Sequence, residues 1–186
     1  MKKILFALCL LLIVVVSGAY AQKIHYGLKG GLNFSNPSTN FYGGGFATIK
    51  LHNKWFLQPE AMYYRSGSVG AVIYTTDGMF QQNVKEDYIS IPLMIQYHIT
   101  PKLYVEAGPE ISFLVSANEE FNGNKYSVTE KYRRVGLGMS VGIGYKLPYG
   151  LGVHARYTGG VTSFGKEMYL SNTNAKVGLD YTFKIK

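Results

Sequence analysis

"YISIPLMIQYHITPKLYVEAGPEISF", residues 88–113, decides how this chain folds. Every second residue from Ile89 is apolar: Ile89, Ile91, Leu93, Ile95, Tyr97, Ile99. After Thr100-Pro101-Lys102 the beat resumes with Leu103, Val105, Ala107, Pro109, Ile111 and Phe113. The skipped positions include Ser90, Gln96, His98, Glu106, Glu110 and Ser112. A period of two marks strands with one apolar and one polar face. In water the apolar face turns inward. In a bilayer it turns outward and the polar face lines a lumen.

The N-terminus bears on the compartment. Residues 1–21, MKKILFALCLLLIVVVSGAYA, join a positive start at Lys2 and Lys3, an unbroken apolar run Ile4–Val16, and a small-x-small end at Ala19-Tyr20-Ala21. This is the layout of a cleaved secretory signal peptide, and the run is shorter than the ~20 residues a spanning helix needs. The expected division is therefore a signal peptide, 1–21, and a barrel domain, 22–186. Cys9 falls within the leader and is the only cysteine, so the exported domain is expected to hold no disulfide or cysteine-based metal site. The whole chain carries 19 basic and 11 acidic side chains; without Lys2 and Lys3 the balance is 17 to 11, a formal +6. The basic residues are scattered apart from Arg133-Arg134. Export and scatter argue against a nucleic-acid partner and for contact with anionic lipid head groups.

Eight segments carry the strand pattern: approximately 24–34, 41–51, 55–65, 88–99, 103–115, 134–147, 151–160 and 174–183. Tight turns at 52–54, 100–102 and 148–150 alternate with long connections at 66–87, 116–133 and 161–173; 35–40 is intermediate. Short turns at one rim and loops at the other predict an all-β fold, an eight-stranded antiparallel up-and-down transmembrane β-barrel. Both termini then lie on the turn side, which in a Gram-negative outer membrane is the periplasm, with the long loops extracellular. Asp77-Gly78 and Asn122-Gly123 favour tight hairpin turns, so the strands are expected to continue outward as ribbons.

A soluble eight-stranded barrel would alternate as well, with its apolar face inside. The aromatic residues separate the two readings. Tyr26, Trp55, Tyr97, Tyr145, Tyr181 and Phe183 fall near short turns or termini, and Phe34, Tyr63, Phe113 and Tyr157 fall near the long loops. Two belts separated by aliphatic residues are what a membrane barrel shows at its two interfaces. The opposite parity is expected to place Lys29, Lys50, Arg156 and Lys176 in the lumen against Glu60, Glu106, Glu110 and Asp180. An interior of this size is just wide enough for side chains to fill, so these charges are expected to pair and plug it. Gly136, Gly138, Gly142, Gly144 and Gly152 share that parity and make room for them.

The stretches "YGLKGGLNFSN", "WFLQPEAMYY", "DYISIPLMIQYHI", "KLYVEAGPEISFLVSA" and "VGLGMSVGIGYKLPYGLGVHARYTGGVT" cover most strands. Together they resemble the PorT-like outer-membrane β-barrel family of Bacteroidetes-type bacteria. The resemblance implies an eight-stranded outer-membrane barrel, and by analogy a secretion or gliding accessory role. Such barrels often end on an aromatic residue as an assembly signal, whereas this chain adds Lys184-Ile185-Lys186 after Phe183.

Candidate chemistry is sparse. His25, His98 and His154 point inward from the first, fourth and seventh strands, too far apart for the convergence that zinc needs. The long loops hold Asp77, Glu119, Glu120 and Glu130 but no histidine to activate a nucleophile. The reading is a non-catalytic integral outer-membrane protein without cofactor or metal, its loops serving structural or binding roles. A narrow small-solute channel and an outer-membrane enzyme are the alternatives. Expected partners are outer-membrane lipid, the barrel-assembly machinery, and a protein on either side whose identity the residues leave open. The apolar "GAVIY" at 70–74 is a contact patch or part of an extended hairpin. Pro59, Pro92 and Pro109 sit mid-strand, read as lipid-facing, and at least one is expected at a β-bulge, where a missing N–H is tolerated.

A closed membrane barrel resists detergent until heated. The protein should therefore migrate differently on a gel before and after boiling and stay with outer membranes through a carbonate wash. Recovery from the soluble periplasm would end this reading.

Overall fold

The computed structural model describes residues 24–35, 38–75, 78–121, 124–127, 129, 133–161 and 173–183. The leader at 1–21 and the trailing Lys184-Ile185-Lys186 lie outside the described residues. The strands are β1 (Ile24–Ser35), β2 (Ser38–His52), β3 (Trp55–Thr75), β4 (Gly78–His98) and β5 (Leu103–Phe121). They continue as β6 (Asn124–Ser127), β7 (Val135–Lys146), β8 (Leu151–Gly160) and β9 (Asn174–Thr182). Eight of them form one closed antiparallel ring: β1 to β5 in sequence, then β7, β8 and β9, with β9 returning to β1. The short β6 pairs with β5 beyond the ring. Closure leaves no edge in the eight-stranded ring, the condition for burying strands in hydrocarbon.

The tight turns lie where expected. At the third, Pro148–Gly150, Tyr149 has φ 62° and Gly150 φ 86°. A side chain at Gly150 would be strained and would press on the Thr182 carbonyl oxygen. The opposite rim extends further than a membrane-length strand. Pairing of β3 with β4 continues from Tyr64↔Tyr88 to Thr75↔Gly78, and β5 with β6 closes at Phe121↔Asn124. Both expected ribbons are present. The first closes one residue earlier than the Asp77-Gly78 pair predicted, because Gly78 belongs to β4. The stretch 70–74 lies in that ribbon, its side chains outside the described residues.

The alternation is inverted relative to a water-soluble barrel. Leu28, Val141, Val177 and Leu179 expose 52–60% of their surface, while their neighbours Ser140 (0%), Lys29 (5%) and Lys176 (3%) are buried. The residues of both aromatic belts, Tyr26, Trp55, Tyr145, Tyr181 and Phe183 at the turn rim and Phe34, Tyr63, Phe113 and Tyr157 at the ribbon rim, are exposed; Tyr97 is half-buried. Trp55 packs on Tyr97 with ring centroids 4.9 Å apart, and Tyr181 meets Phe183 edge-on at 5.4 Å. These pairs reinforce the turn-rim belt.

The proline expectation fails. Register shifts fall at Lys50/His52, Val69/Val72 and Asp87/Tyr88, none of them at a proline. Beside Pro59 and Pro92 the β3–β4 and β4–β5 ladders lapse briefly and then resume with the same offset. The β5–β7 ladder runs through Pro109↔Met139 without a gap. Missing donors are thus absorbed locally, without an inserted residue. Pro92 is also fully buried, so it faces the lumen and not lipid. Its even number on β4 already carried that parity, shared with Ser90 and Met94. A parity slip does occur in β5. Opposite Asp87/Tyr88 the offset changes by one, so that Val115 and Ser116 both lie off the interior and Ala117 returns to it, fully buried.

Val141 stands mid-strand on the lipid face and Ser140 on the lumen face. Arginine at Val141 should lower folding stability in bilayers by ~2–4 kcal/mol, the depth-dependent cost on a barrel exterior. Urea titration in liposomes measures it. Normal stability of Val141→Arg together with loss on Ser140→Ala would mean that the two faces have been exchanged.

Candidate functional site: the lumenal charge cluster

The strand parity that turns aliphatic residues outward drives polar residues from every wall into one narrow space. At mid-height Arg156 of β8 reaches across to Glu60 of β3 and Glu106 of β5. Its Nη1 donates to Glu60 Oε2 at 2.7 Å and its Nη2 to Glu60 Oε1 at 2.8 Å. Its Nε and Nη2 donate to Glu106 Oε1 at 2.8 and 2.6 Å. One guanidinium thus grips two carboxylates, a use of its planar fork that a lysine could not reproduce. Lys29 of β1 donates to Glu60 Oε1 at 2.8 Å. Gln58 adds a third donor to that oxygen, and Gln96 links Gln58 to Glu106. Glu60, Glu106 and Arg156 are all nearly inaccessible to water. Unpaired, such charges would each cost several kcal/mol; the cluster holds because each has several partners.

A second layer lies nearer the ribbon rim. Lys176 Nζ donates to Glu110 Oε1 at 3.1 Å, and Ser140 and Thr158 donate to Glu110 Oε2. The same ammonium lies 4.4 Å from the Tyr64 ring centroid, a cation–π contact. Tyr42, Met62, Tyr64, Tyr88, Leu114 and Ala117 form a buried apolar cluster. On the other flank Tyr42 Oη shares a hydrogen bond with His154 Nε2, and His154 Nδ1 is 3.1 Å from Asp180 Oδ1.

Glycines give these side chains their space. A Cβ at Gly144 would collide with the Tyr104 ring, and one at Gly152 with the Asp180 carboxylate.

Of the residues expected in the lumen, Lys29, Glu60, Glu106, Glu110, Arg156, Lys176 and Asp180 converge there. Lys50 does not. It is exposed, beside the register shift that ends the β2–β3 pairing at His52, and forms no ion pair among the described residues. Alternation projected to the end of a strand fails where a bulge breaks it. His98 and His154 are buried and His25 is exposed at the mouth. Among the described residues no group of three or more histidine, cysteine or acidic side chains could hold a metal. The sequence reading missed the aromatic cap. Its signal was present, since Tyr64, Tyr88 and Leu114 alternate with the outward Tyr63, Ile89 and Phe113. Apolar residues on the polar parity were passed over because the search was for charge.

A separate cluster sits on the outer wall at the start of the ribbon. Arg65 Nε and Tyr63 Oη each donate to Asp87 Oδ1 at 2.7 Å, and Ser116 donates to Asp87 Oδ2. Burial lifts the Asp87 carboxyl, but hydrogen bonds from Arg65, Tyr63 and Ser116 outweigh it and hold the group below the ordinary aspartate range.

A closed eight-stranded ring, aliphatic outside and charged within, is the architecture of a small outer-membrane barrel. The chain belongs to the family of outer membrane protein beta-barrel domains, whose model matches residues 20–165. Membership assigns it to the outer membrane. Solved structures share the fold at low identity. Neisserial surface protein A aligns with 87% of this chain and 96% of its own, at 13% identity and a TM-score of 0.53. Yersinia pestis outer membrane protein Ail, in a phospholipid bilayer nanodisc, aligns over 87% and 100%, at 12% and 0.52. The N-terminal β-barrel domain of Pseudomonas aeruginosa OprF aligns over 87% and 99%, at 12% and 0.51. No curated protein matches the sequence.

Replacing Arg156 with methionine would leave buried Glu106 without a cation and Glu60 with Lys29 alone. Arg156→Met should cost about 3–5 kcal/mol, and adding Glu106→Gln should restore part of it. Equilibrium unfolding in urea, followed through Trp55 fluorescence, reads both. Equal stability of wild type and Arg156→Met would show that the cluster contributes nothing.

Proposed function

We propose that this protein is a non-catalytic, non-conducting outer-membrane barrel that holds its ribbons and outer rim on a rigid plugged scaffold. The observation that carries this reading is Arg156 bound across the bore to Glu60 and Glu106 at 2.6–2.8 Å. With Lys176–Glu110 and the aromatic cluster above it, two charged layers and one apolar layer stand in series. Eight strands leave little free bore to begin with. An ion crossing this path would have to break paired, desolvated charges, an expense of several kcal/mol each.

In this reading the turn rim and both termini face the periplasm and the ribbons face outward, as in barrels with short periplasmic turns and longer extracellular connections. The leader at 1–21 is the export signal, and the barrel-assembly machinery inserts the domain. Polar connections on a rigid scaffold are a usual place for binding. Here the ribbon wall presents the Tyr63–Arg65–Asp87–Ser116 cluster, and a protein or glycan outside the cell is the class of partner that fits it. A secretion or gliding accessory role, suggested by the PorT-like resemblance, remains an analogy at the level of the fold.

Planar-bilayer recording tests the closed lumen. Purified protein should give no steady unitary conductance in 1 M KCl. Regular single-channel steps from the wild type would overturn the plug and favour the narrow-channel reading.

A further inference from the structure

The plug does not extend to the turn rim. Below the Arg156 cluster a cavity of about 210 Å³ opens toward the turns, walled by Phe46, Phe56, Tyr104 and Leu151 and edged by Lys146. Phe56 and Lys146 also border a second hollow, formed with His98 and the turns at 53–54 and 99–101. The lumen is therefore asymmetric, filled toward the ribbons and hollow toward the turns.

Two features of these adjoining hollows remain unmatched among the described residues. The buried cations Lys29, Arg156 and Lys176 each reach a carboxylate within 3.1 Å. Lys146, half-buried in the vestibule wall, has no carboxylate within ion-pair range among the described residues. Its ammonium instead lies 5.4 Å from the Phe56 ring centroid. The second feature is His98, a residue only 7% exposed. Its ring lies between those of Phe56, 4.2 Å away, and Tyr104, 5.5 Å away, and its Nε2 has no hydrogen-bond partner. A buried polar atom without a partner costs ~1–3 kcal/mol, so its persistence requires an explanation. Asp180 also borders the cavity but is already engaged by His154.

We propose that the turn-rim vestibule binds a small organic carboxylate, its anionic head at Lys146 beside His98 and its flat or aliphatic body against Phe56 and Tyr104. The charge selects an anion because the cations above are held in close ion pairs, whereas Lys146 meets the Asp180 carboxylate only beyond ion-pair range. The walls select an apolar body because apolar surface, from residues including Phe46, Phe56, Tyr104, Leu147 and Leu151, makes up most of the lining. The volume limits size: drug-sized ligands take ~300–1,000 Å³, and this cavity falls below that range. A half-buried, incompletely hydrated ammonium is a stronger anion partner than one on an open surface. The proposal goes beyond the plugged-scaffold reading and does not depend on it. A conducting barrel would overturn the seal and leave the vestibule in place.

The test is a titration of isotope-labelled full barrel in phospholipid nanodiscs, following backbone amides of Tyr104, Lys146 and Gly150. Benzoate is the probe and benzamide its uncharged counterpart. The expected result is saturable benzoate binding, at least tenfold tighter than benzamide. Lys146→Gln should weaken benzoate at least tenfold and leave benzamide unchanged, with heat-modifiable migration confirming that the variant is folded. Lys50→Gln, exposed and outside both hollows, should bind benzoate as wild type does. Equal binding of benzoate and benzamide, or full benzoate affinity in Lys146→Gln, overturns the proposal. Inorganic phosphate saturating the same amides at equal concentration overturns the apolar half of the site.

Discussion

Backbone groups in hydrocarbon have no water to bond to, and the pairing of β1 with β9 is the contact that lets this chain meet that condition. Once the ring closes, each of its eight strands has two neighbours. Closure also dictates what the side chains do. Eight strands enclose a bore only wide enough for side chains, so whatever points inward must fit and neutralise itself. The outward face is left to Leu, Ile and Val between two aromatic rings, for which lipid is the matching solvent.

The interior solves its packing problem in unlike ways at its two ends. At mid-height opposite charges from β1, β3, β5 and β8 share hydrogen bonds around Arg156. Toward the ribbons, tyrosine and methionine fill the space that charge does not. Toward the turns the walls are partly aromatic but the space is open; Lys146 borders it without an ion-pair partner among the described residues, and His98 is stacked on Phe56 and Tyr104 beside it. The gradient from packed to open gives the barrel a direction that its near-uniform exterior does not show.

Bulges mark where this regular plan is adjusted. At Asp87/Tyr88 the shift puts Ser116 on the side of Asp87, where Arg65 and Tyr63 also bond. At Lys50/His52 the β2–β3 pairing ends irregularly and Lys50 is left in solvent. The prolines, by contrast, interrupt hydrogen bonds without moving the register. A ladder held on both sides of a gap by long flanking pairings keeps its offset. An extra residue is required only where a side chain must change face.

The amino-acid sequence by itself determined the strand number in the ring, the tight turns, the lipid face and most of the lumenal charges. Each of these rests on period-two alternation and turn chemistry, both local properties. Lys29, Glu60, Glu106, Glu110, Arg156, Lys176 and Asp180 were legible for that reason. Only the tertiary structure decided that Arg156 joins Glu60 to Glu106, since those residues stand 96 and 50 positions from it and meet through ring closure. It alone decided the placement of the bulges, the exclusion of Lys50 and the open vestibule around Lys146. Register and cavity volume depend on how strands meet across the ring, and no local run of residues encodes that distance.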